Sequence, residues 1–549
     1  MKEETKNLYV AIILSMFIIF GVNHFLAPKV SQPTKKQIEV QPEIKVVQEE
    51  TKANLPLDDI LNIDERVLIK TPSVQGSIRL KGARFDFLEL TKYKETIEKD
   101  SPNVKLLAPA GSLNAYFAEF GFLSTNPLNV PNADSIWKNM SGDLTISTPL
   151  VLTWNNGSGL NFIRQISIDE HYMLTISDTV QNQTDKNVTL YPFGRINRIY
   201  DPKNVARSVV HEGVTGVIDG SAKEIKLKDV KEKDPKKFEA SDAWFGFSDR
   251  YWLTAFILDA KDGTDITVSN NGDNNYQVDF RVAQILIPAG GTRTQTVKFF
   301  AGAKEIKLLD KYTKGGIKKF DLAVDFGWYY FLTKPFFYIL DFLYKIIGNM
   351  GWAILLFAAL LRLVMFPVAN KSYESMSKMK KIQPKVLALQ EQYKGNKVLL
   401  QQKTMELYKR EKINPASGCL PLFIQIPVFF SLYKVLNIAI EIRHAPFIGW
   451  VKDLSAPDPL TISAWSHVPL PAVLDIGVWP ILMGLTMWFQ QKLNPAPTNK
   501  DQALMFAMLP LIFTLMLGHF AVGLVIYWTL SNLLSIFQQK AIMYKNGVK

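Results

Sequence analysis

Apolar and polar positions follow two different patterns along the chain, and the change falls near residue 320. In the N-terminal half, apolar residues alternate with polar ones, and clusters of Asn, Gly and Asp separate the alternating runs. Representative runs are 144–153 (LTISTPLVLT), 162–177 (FIRQISIDEHYMLTIS), 251–258 (YWLTAFIL) and 276–287 (YQVDFRVAQILI). A period of two with such punctuation is typical of antiparallel strands. We therefore predict a large antiparallel β-sandwich over residues 57–319, and no parallel nucleotide-binding sheet.

Long apolar runs follow residue 345, and one more lies near the start of the sequence. Most are long enough to cross a bilayer core of about 30 Å as a helix. The six predicted spans are residues 1–27, 346–369, 418–440, 473–491, 503–518 and 520–539. A cleaved signal peptide is the alternative for the first span, but residues 22–28 (VNHFLAP) contain no small-residue cleavage site. We therefore predict an uncleaved signal anchor and a multi-pass α-helical membrane protein that carries a large β-domain.

Two further segments have compositions of their own. Residues 28–56 mix Pro, Gln, Lys and Glu with few aromatic side chains, which indicates a flexible tether. Residues 320–345 contain eleven aromatic side chains together with Asp325, Lys334 and Asp341, and a spanning helix would bury these charges at considerable cost. An amphipathic interfacial helix along the membrane surface fits this composition better.

The distribution of basic residues among the loops predicts the orientation. Residues 370–417 hold eleven Lys or Arg against four acidic residues, whereas residues 441–475 hold two against four. By the positive-inside rule the first loop is cytoplasmic and the second is outside. An even number of spans then places both termini in the cytoplasm and the β-domain outside. The loop 441–472 is accordingly extracytoplasmic, and the loop 492–502 and the short basic tail 540–549 are cytoplasmic.

The net charge of +12 lies mainly in loops beside the apolar runs, which favours a membrane surface over nucleic acid. The basic segment 370–417 has the pattern of a helical hairpin, with a turn at Gly395 and Asn396 and with Pro384 placed as in a first helical turn. Its apolar residues form the predicted seam: Val386, Leu389, Tyr393, Val398, Met405 and Tyr408. The basic exterior either orients the protein or docks an anionic partner, and the pattern favours neither. The candidate docking residues are Lys385, Lys394, Lys397, Lys409 and Arg410.

Arg362 lies inside the apolar run 352–368 (WAILLFAALLRLVMFPV). An arginine at the centre of a span costs roughly 2.5–3.5 kcal/mol, which favours a position facing protein or water. The alternative is that the side chain snorkels towards the end of the span. Polar residues in the third and last predicted spans could share a wet cavity with it: Gln425, Ser431 and Asn532, with Ser531 and Ser535 beside the last. Each of these could equally make a simple interhelical hydrogen bond.

Signals for an enzyme are weak. The single cysteine, Cys419, excludes an internal disulfide, and the chain contains no P-loop, H-E-x-x-H or G-x-S-x-G motif. The neighbours Glu170 and His171, and likewise His211 and Glu212, would point to opposite faces of a strand, so neither pair is a poised acid and base. We therefore predict no enzyme activity, no metal and no cofactor.

Five segments resemble the YidC/Oxa/Alb family of membrane insertases, in particular the subgroup from bacteria with two membranes. They are 360–367 (LLRLVMFP), 413–433 (INPASGCLPLFIQIPVFFSLY), 445–459 (APFIGWVKDLSAPDP), 480–495 (PILMGLTMWFQQKLNP) and 523–539 (GLVIYWTLSNLLSIFQQ). Together they cover most of the last two hundred residues and are specific in combination. The β-domain and the amphipathic helix match the subgroup by arrangement more than by motif.

The resemblance implies a protein that inserts and folds nascent membrane proteins in the bacterial inner membrane, alone or beside the Sec translocon. It implies a five-span core with a hydrophilic groove, whose charge falls on Arg362. The residues along which a substrate helix slides map to Phe429, Phe430, Tyr527 and Trp528. The β-domain is similar to the supersandwiches of sugar mutarotases, although in this family it is not known as an enzyme. The basic hairpin would dock the ribosome or the signal recognition particle receptor.

Three alternatives remain open. A solute or ion transporter also uses an intramembrane arginine and Pro-broken helices, but no inverted repeat relates the predicted spans. A membrane protease could use Ser431 and Lys434, in an S-x-x-K spacing, if the lysine were neutral and buried. A membrane-anchored carbohydrate-active enzyme is the third alternative, because of the sandwich.

Overall fold

The computed structural model describes residues 56–125, 127–200, 211–393, 395–414, 420–495 and 500–547. The predicted signal anchor at 1–27 and nearly all of the tether at 28–56 lie outside these ranges. The described chain has a β-rich part followed by a helical part, as the two sequence patterns predicted.

The β-rich part begins with a short helix, α1 (Leu57–Leu61). Seventeen strands follow in the described residues: β1 Arg66–Lys70, β2 Val74–Arg79, β3 Arg84–Lys94, β4 Asn103–Leu107, β5 Tyr116–Leu123, β6 Lys138–Asn139, β7 Leu150–Asn155, β8 Leu160–Ile168, β9 Met173–Asn182, β10 Val188–Ile199, β11 Gly213–Ile218, β12 Ser221–Lys226, β13 Lys236–Ser248, β14 Trp252–Asn270, β15 Asn275–Val282, β16 Ile285–Ile287 and β17 Thr292–Ala303. Every pairing between these strands is antiparallel, so the period-two prediction is confirmed.

The long strand β14 joins two series of strands. Its first half pairs with β17, which continues through β9, β8 and β7 to β6. Its second half pairs with β15, which continues through β10, β5 and β3 to β2 and β1. On its other edge β14 pairs with β13 along most of its length, and a register shift lies between Ala240 and Asp242.

Phenylalanine rings from both series meet in one core. Phe120 of β5 contacts Phe256 of β14 with ring centroids 5.4 Å apart, and Phe299 of β17 at 5.9 Å. Phe85 of β3 contacts Phe299 at 6.0 Å, and Phe280 of β15 contacts Phe256 at 4.8 Å. Most of these contacts are edge-to-face, the arrangement that aromatic pairs prefer. The two series therefore pack face to face as the layers of a sandwich.

The helical part contains nine helices in the described residues. They are α2 Ile306–Lys314, α3 Tyr330–Ile347, α4 Met350–Gln392, α5 Lys397–Arg410, α6 Leu420–Ile438, α7 Ile462–Ser466, α8 Val478–Leu493, α9 Lys500–Leu517 and α10 Val522–Lys545. One of them, α4, is long and apolar enough to cross a membrane, and shorter apolar helical segments occur at Phe423–Ile438 and Ala503–Leu517. The number of spans stays a prediction.

Helix α4 differs from the expected arrangement. It continues without a break from the predicted second span into the basic segment, and both Pro367 and Pro384 lie inside it. The placement of Pro384 in the first turn of a new helix was therefore wrong. Ile382 and Val386 flank this proline and are buried against α5, and this packing keeps the helix continuous despite the lost backbone hydrogen bond.

Helix α3 occupies most of the predicted interfacial segment 320–345. Its charged side chains Lys334 and Asp341 bond to residues of α2 and of the segment between α2 and α3. Lys334 Nζ donates to Asp310 of α2 at 2.7 Å and to Asp321 at 2.8 Å, and Asp341 pairs with Lys307 of α2. An adjacent face of the helix exposes apolar side chains, among them Phe331 at 73% and Phe342 at 61%.

Polar contacts connect the β-rich part with the end of α6. Arg250, before β14, donates from Nε to the Asn437 carbonyl oxygen at 2.7 Å. The backbone N–H of Ile306 donates to Glu441 Oε1 at 3.1 Å, and Arg443 donates to the carbonyl oxygen of Glu95 at 3.0 Å. The end of α6 and the loop after it therefore lie on the same side of the helical part as the β-domain.

Candidate functional site around Arg362

Arg362 is half-buried, although its neighbours Leu363 and Val364 are 68% and 75% exposed. Its Nη2 donates to the hydroxyl of Tyr373 at 2.6 Å, and the guanidinium carbon lies 5.9 Å from the centre of that ring. Its Nε is buried and has no hydrogen-bond partner among the described residues. The guanidinium therefore keeps donor capacity that the described residues do not use.

Helix geometry explains the pairing with Tyr373. Eleven residues make just over three turns, so the two side chains lie on one face of α4. Tyr373 is 4% exposed and packs with Ala369 and Met376, and Ile542 of α10 packs against this cluster. The arginine extends towards the end of α4 that leads to the basic hairpin, the direction expected for snorkelling, but it ends on a protein hydroxyl. The sequence analysis did not identify Tyr373. Its spacing of eleven residues from Arg362 is the signal that could have identified it.

A second polar pair lies between α6 and α10. Gln425 Nε2 donates to the hydroxyl of Tyr527 at 3.0 Å, and Tyr527 is only 1% exposed. The structure therefore brings Gln425 and Tyr527 together.

The other predicted polar residues have separate surroundings. Asn532 Nδ2 donates to Thr486 Oγ1 of α8 at 3.1 Å, which is a simple interhelical hydrogen bond. Ser431 is fully buried, and its hydroxyl has no hydrogen-bond partner in the described part of the chain. Ser535 donates to the carbonyl oxygen of Ser531 within α10 at 2.6 Å.

The four predicted slide residues separate into different environments. Phe429 and Trp528 pack together with ring centroids 4.7 Å apart, and Trp528 also contacts Phe513 at 5.5 Å. Phe430, in contrast, is 48% exposed, whereas Tyr527 is buried beside Gln425. The ring of Phe430 contacts that of Phe429 at 5.6 Å, so the structure groups three of the four residues.

The described residues do not form the arrangement of a serine protease. Lys434 Nζ donates to Asp325, so the lysine has a carboxylate as its partner. The Ser431 hydroxyl is not bonded to it, as stated above. In the β-domain, Glu212 accepts a hydrogen bond from Tyr200 at 3.1 Å, whereas His211 Nε2 lies 3.1 Å from the carbonyl oxygen of Val214.

The basic hairpin consists of the second half of α4 and the whole of α5. Its buried seam is formed by Ile382, Val386, Leu407 and Ile413, with Leu389 and Tyr408 packed against it. Val398 and Met405 were predicted for this seam but are 76% and 44% exposed, because the face of α5 that meets α4 is the one that carries Leu407.

The candidate docking residues of the hairpin have different surroundings. Lys385 pairs with Glu411 at 2.8 Å and so joins the two helices. Lys409 and Arg410 are exposed. Lys394 and the side chain of Lys397 lie outside the described residues.

Comparison with known proteins decides the family. A model described as the YidC periplasmic domain matches residues 66–339, and one described as 60Kd inner membrane protein matches residues 342–548. Membrane protein insertase YidC of Beijerinckia indica subsp. indica is 44% identical over 587 residues, which cover 100% of this chain and 97% of the relative. The chain belongs to the YidC family of membrane protein insertases. Membrane protein insertase YidC of Rickettsia felis agrees, with 44% identity over 553 residues that cover 98% and 99% of the two chains.

Two solved structures have a low overall similarity to this chain. A crystal structure of an active YidC insertase, with its first transmembrane domain resolved, is 16% identical and has a TM-score of 0.38 over 87% of this chain and 92% of its own. A galactose mutarotase related enzyme from Lactobacillus acidophilus has a TM-score of 0.31 and 10% identity over 43% of this chain and 97% of its own. Both scores are below 0.5, so the family assignment rests on the sequence matches.

Membership of the YidC family confirms the resemblance found in the sequence. The protein is an inner-membrane insertase with a β-rich periplasmic domain and a helical C-terminal part, and it is not an enzyme. Its chemistry is therefore that of binding and transfer.

Proposed function

We propose that Arg362, Tyr373, Gln425 and Tyr527 form the polar part of a groove that receives the translocated segment of a nascent membrane protein. The observation that carries this proposal is the state of Arg362. It is a half-buried cation in an apolar helix, and its partner in the described part of the chain is a neutral hydroxyl and not a carboxylate. Its charge therefore remains available to an acidic or polar substrate segment.

Desolvation is the physical reason for such a groove. A polar segment that crosses the apolar core of a bilayer loses its hydrogen bonds to water, which costs several kcal/mol per group. A cation and hydroxyl groups within the bilayer replace part of that hydration. The apolar helix of the substrate then gains roughly 25 cal/mol per Å² by passing into lipid, so release needs no nucleotide. In this proposal Phe429, Phe430, Tyr527 and Trp528 line the exit, and Ser431 and Asn532 add polarity.

The topology belongs to the same proposal. Six spans would place both termini in the cytoplasm, with the β-domain in the periplasm and the basic hairpin in the cytoplasm. The charge difference between residues 370–417 and 441–475 supports this orientation. The contacts of Ile306 with Glu441, and of Arg443 with Glu95, support a periplasmic position for the loop after α6.

The partners proposed for this activity are the Sec translocon, the ribosome and the signal recognition particle receptor. The exposed side chains of Lys409 and Arg410 support docking of an anionic partner such as ribosomal RNA. The paired Lys385 instead stabilises the hairpin that presents them.

Substitution of Arg362 tests the groove. Arg362→Lys keeps a cation and should retain insertion, whereas Arg362→Ala should impair insertion in proportion to the acidity of the translocated segment. The measurement is protease protection of single-span substrates that carry zero to three acidic residues ahead of the span. Val364→Ala, on the same helix and 75% exposed, is the matched control.

The snorkelling alternative makes a different prediction. If Arg362 only anchors α4, alanine should lower the stability or change the topology of the protein for all substrates alike. A uniform defect across the substrate series at equal expression, or no defect at all, would remove Arg362 from the mechanism. A defect that grows with the number of acidic residues would support it.

A further inference from the structure

The loop before α8 closes on itself at its base. Thr461 and Gly477 form an antiparallel bridge, the Ile462 N–H donates to the carbonyl oxygen of Ile476 at 3.0 Å, and the Val478 N–H donates to that of Leu460 at 3.2 Å. We call residues 461–477 the outer finger. It contains the short helix α7 and ends where α8 begins.

Two carboxylates, the partly buried Asp475 and the buried Asp458, fix the base of the outer finger. Asp475 accepts hydrogen bonds from the Ser463 N–H at 2.9 Å, the Ser463 hydroxyl at 2.6 Å and the Thr461 hydroxyl at 3.0 Å. Asp458, which is 3% exposed, accepts from the Leu460 N–H at 3.1 Å and from the Trp479 N–H at 2.8 Å. The finger is therefore held in one conformation by polar groups at its root.

The tip of the finger has the opposite character. Trp465, Val468, Val473 and Leu474 are 59%, 55%, 66% and 49% exposed. Residues 462–474 (ISAWSHVPLPAVL) contain no Asp, Glu, Lys or Arg. A pre-formed, uncharged and apolar tip is atypical of a surface that faces only water, and such patches mark sites of membrane or protein contact.

The position of the base favours lipid as the partner. The finger leads directly into α8, whose own surface exposes Leu485 at 48% and Phe489 at 55%. The loop just before it bonds to the start of α10, where the Val522 N–H donates to the carbonyl oxygen of Ala456 at 2.8 Å. The base therefore lies at the ends of α8 and α10 on the side of the β-domain, where the proposed topology puts the periplasmic surface of the membrane. Tryptophan is also enriched at membrane–water interfaces.

We propose that the outer finger inserts its apolar tip into the periplasmic leaflet of the lipid bilayer and so fixes the depth of α8. The partner is the lipid surface itself. The proposal does not depend on the role of Arg362, because it concerns the opposite end of the helical part. It assigns residues 473–477, predicted as the start of a span, to a segment that lies in the interface.

A fluorescent probe on the tip tests the insertion. Cys419 is the single cysteine, so Cys419→Ser gives a background for single labelling sites. Val468→Cys and Val473→Cys carry an environment-sensitive dye in the full chain, reconstituted into vesicles of phosphatidylethanolamine and phosphatidylglycerol. Leu485→Cys on α8 is the lipid-exposed control, and Lys99→Cys on the β-domain is the aqueous control. We expect blue-shifted emission, strong quenching by nitroxide-labelled lipid and weak quenching by iodide at both tip positions.

Two further results complete the test. Asp475→Ala opens the base, so the tip dyes should show a broader emission and regain quenching by iodide. If the tip positions behave like Lys99→Cys in pure lipid vesicles, the proposal is wrong. Shielding that occurs only in native membranes, and not in pure lipid, would assign the tip to a protein partner and would also overturn it.

Discussion

Tyr373 gives Arg362 a neutral partner, in contrast to three fully buried arginines of the described β-domain. Arg164 donates to both carboxylate oxygens of Asp178, at 2.6 and 2.8 Å, and Arg84 and Arg195 both pair with Glu119. These three buried arginines have anionic partners, as desolvation requires, whereas the buried Lys304 donates to the hydroxyl of Ser248 at 3.0 Å. The hydroxyl at Tyr373 orients the guanidinium of Arg362 and leaves its charge uncompensated.

Tyr373→Phe should therefore weaken the groove without removing its charge. The lost hydrogen bond to a charged group is worth about 1.5–3 kcal/mol, and the freed guanidinium would sample more positions. We expect a smaller defect than that of Arg362→Ala with the most acidic substrate of the protease-protection series. Tyr408→Phe, which removes a hydroxyl from the hairpin seam, is the control.

The double variant separates positioning from structure. If Tyr373 acts through Arg362, then Tyr373→Phe should add no further defect in the Arg362→Ala background. Additive losses in the double variant would mean that the tyrosine only stabilises α4.

At the scale of residues, the sequence identified side chains that are chemically unusual for the segment in which they lie. Arg362 was found because a charge in an apolar run is rare. Tyr373 was not found, because a tyrosine in an amphipathic segment is ordinary. Its role depends on the side-chain rotamer of Arg362, three helical turns away. Ser431 and Asn532 were found as polar groups, but their partners depend on which helices are neighbours, and a single sequence does not contain that information.

At the scale of elements, the contact between α2 and the end of α6 is sensitive to pH. Glu441 has a buried carboxylate that accepts a hydrogen bond from the Ile306 N–H, and its Oε2 has no partner among the described residues. Burial, reinforced by the charges of Glu305 and Asp341, raises the pKa of Glu441 from 4.5 to about 7. Lys307, the nearest cation, already pairs with Asp341.

The direction of the effect follows from this raised pKa. Between pH 4.5 and 7 the folded protein binds a proton that the unfolded chain does not, so stability falls as the pH rises through this range. Glu441→Gln removes this dependence, and the variant should exceed the parent in stability by about 3 kcal/mol at pH 8 while nearly matching it at pH 5. The measurement is thermal unfolding of the purified protein in detergent, with Glu98→Gln on the exposed surface as the control. Equal pH profiles of Glu441→Gln and the parent would contradict the prediction.

Element boundaries were predicted less well than element types. The alternation of the β-domain and the apolar runs gave the correct class for both halves. The start of α8 was not found, because Val473 and Leu474 are as apolar as a span and differ from one only in the hydrogen bonds of Asp475. The continuity of α4 through Pro384 was also missed, because it depends on packing against α5.

For the whole molecule, the hairpin should act as a docking device for anionic partners. Replacing residues 392–397 with a Gly/Ser turn of equal length removes Lys394 and Lys397 and should weaken ribosome binding while membrane integration is preserved. A matched variant changes only Gln392, Tyr393 and Asn396 and keeps both lysines. Co-sedimentation with ribosomes at physiological salt measures the difference. Unchanged affinity in the charge-deleted variant would leave the hairpin with an orienting role alone.

The unbroken length of α4 links this hairpin mechanically to the arginine. At 1.5 Å per residue its 43 residues span about 65 Å, roughly twice the thickness of the bilayer core. Proline weakens a helix locally, so bending concentrates at Pro367 and Pro384. The hydrogen bond from Arg362 to Tyr373 joins residues on either side of Pro367 and restrains bending there. In the described residues, no such hydrogen bond joins the two sides of Pro384. We therefore expect any movement of the hairpin to be absorbed at Pro384 and not at Pro367, so that the guanidinium keeps its position while the far end of the same helix moves.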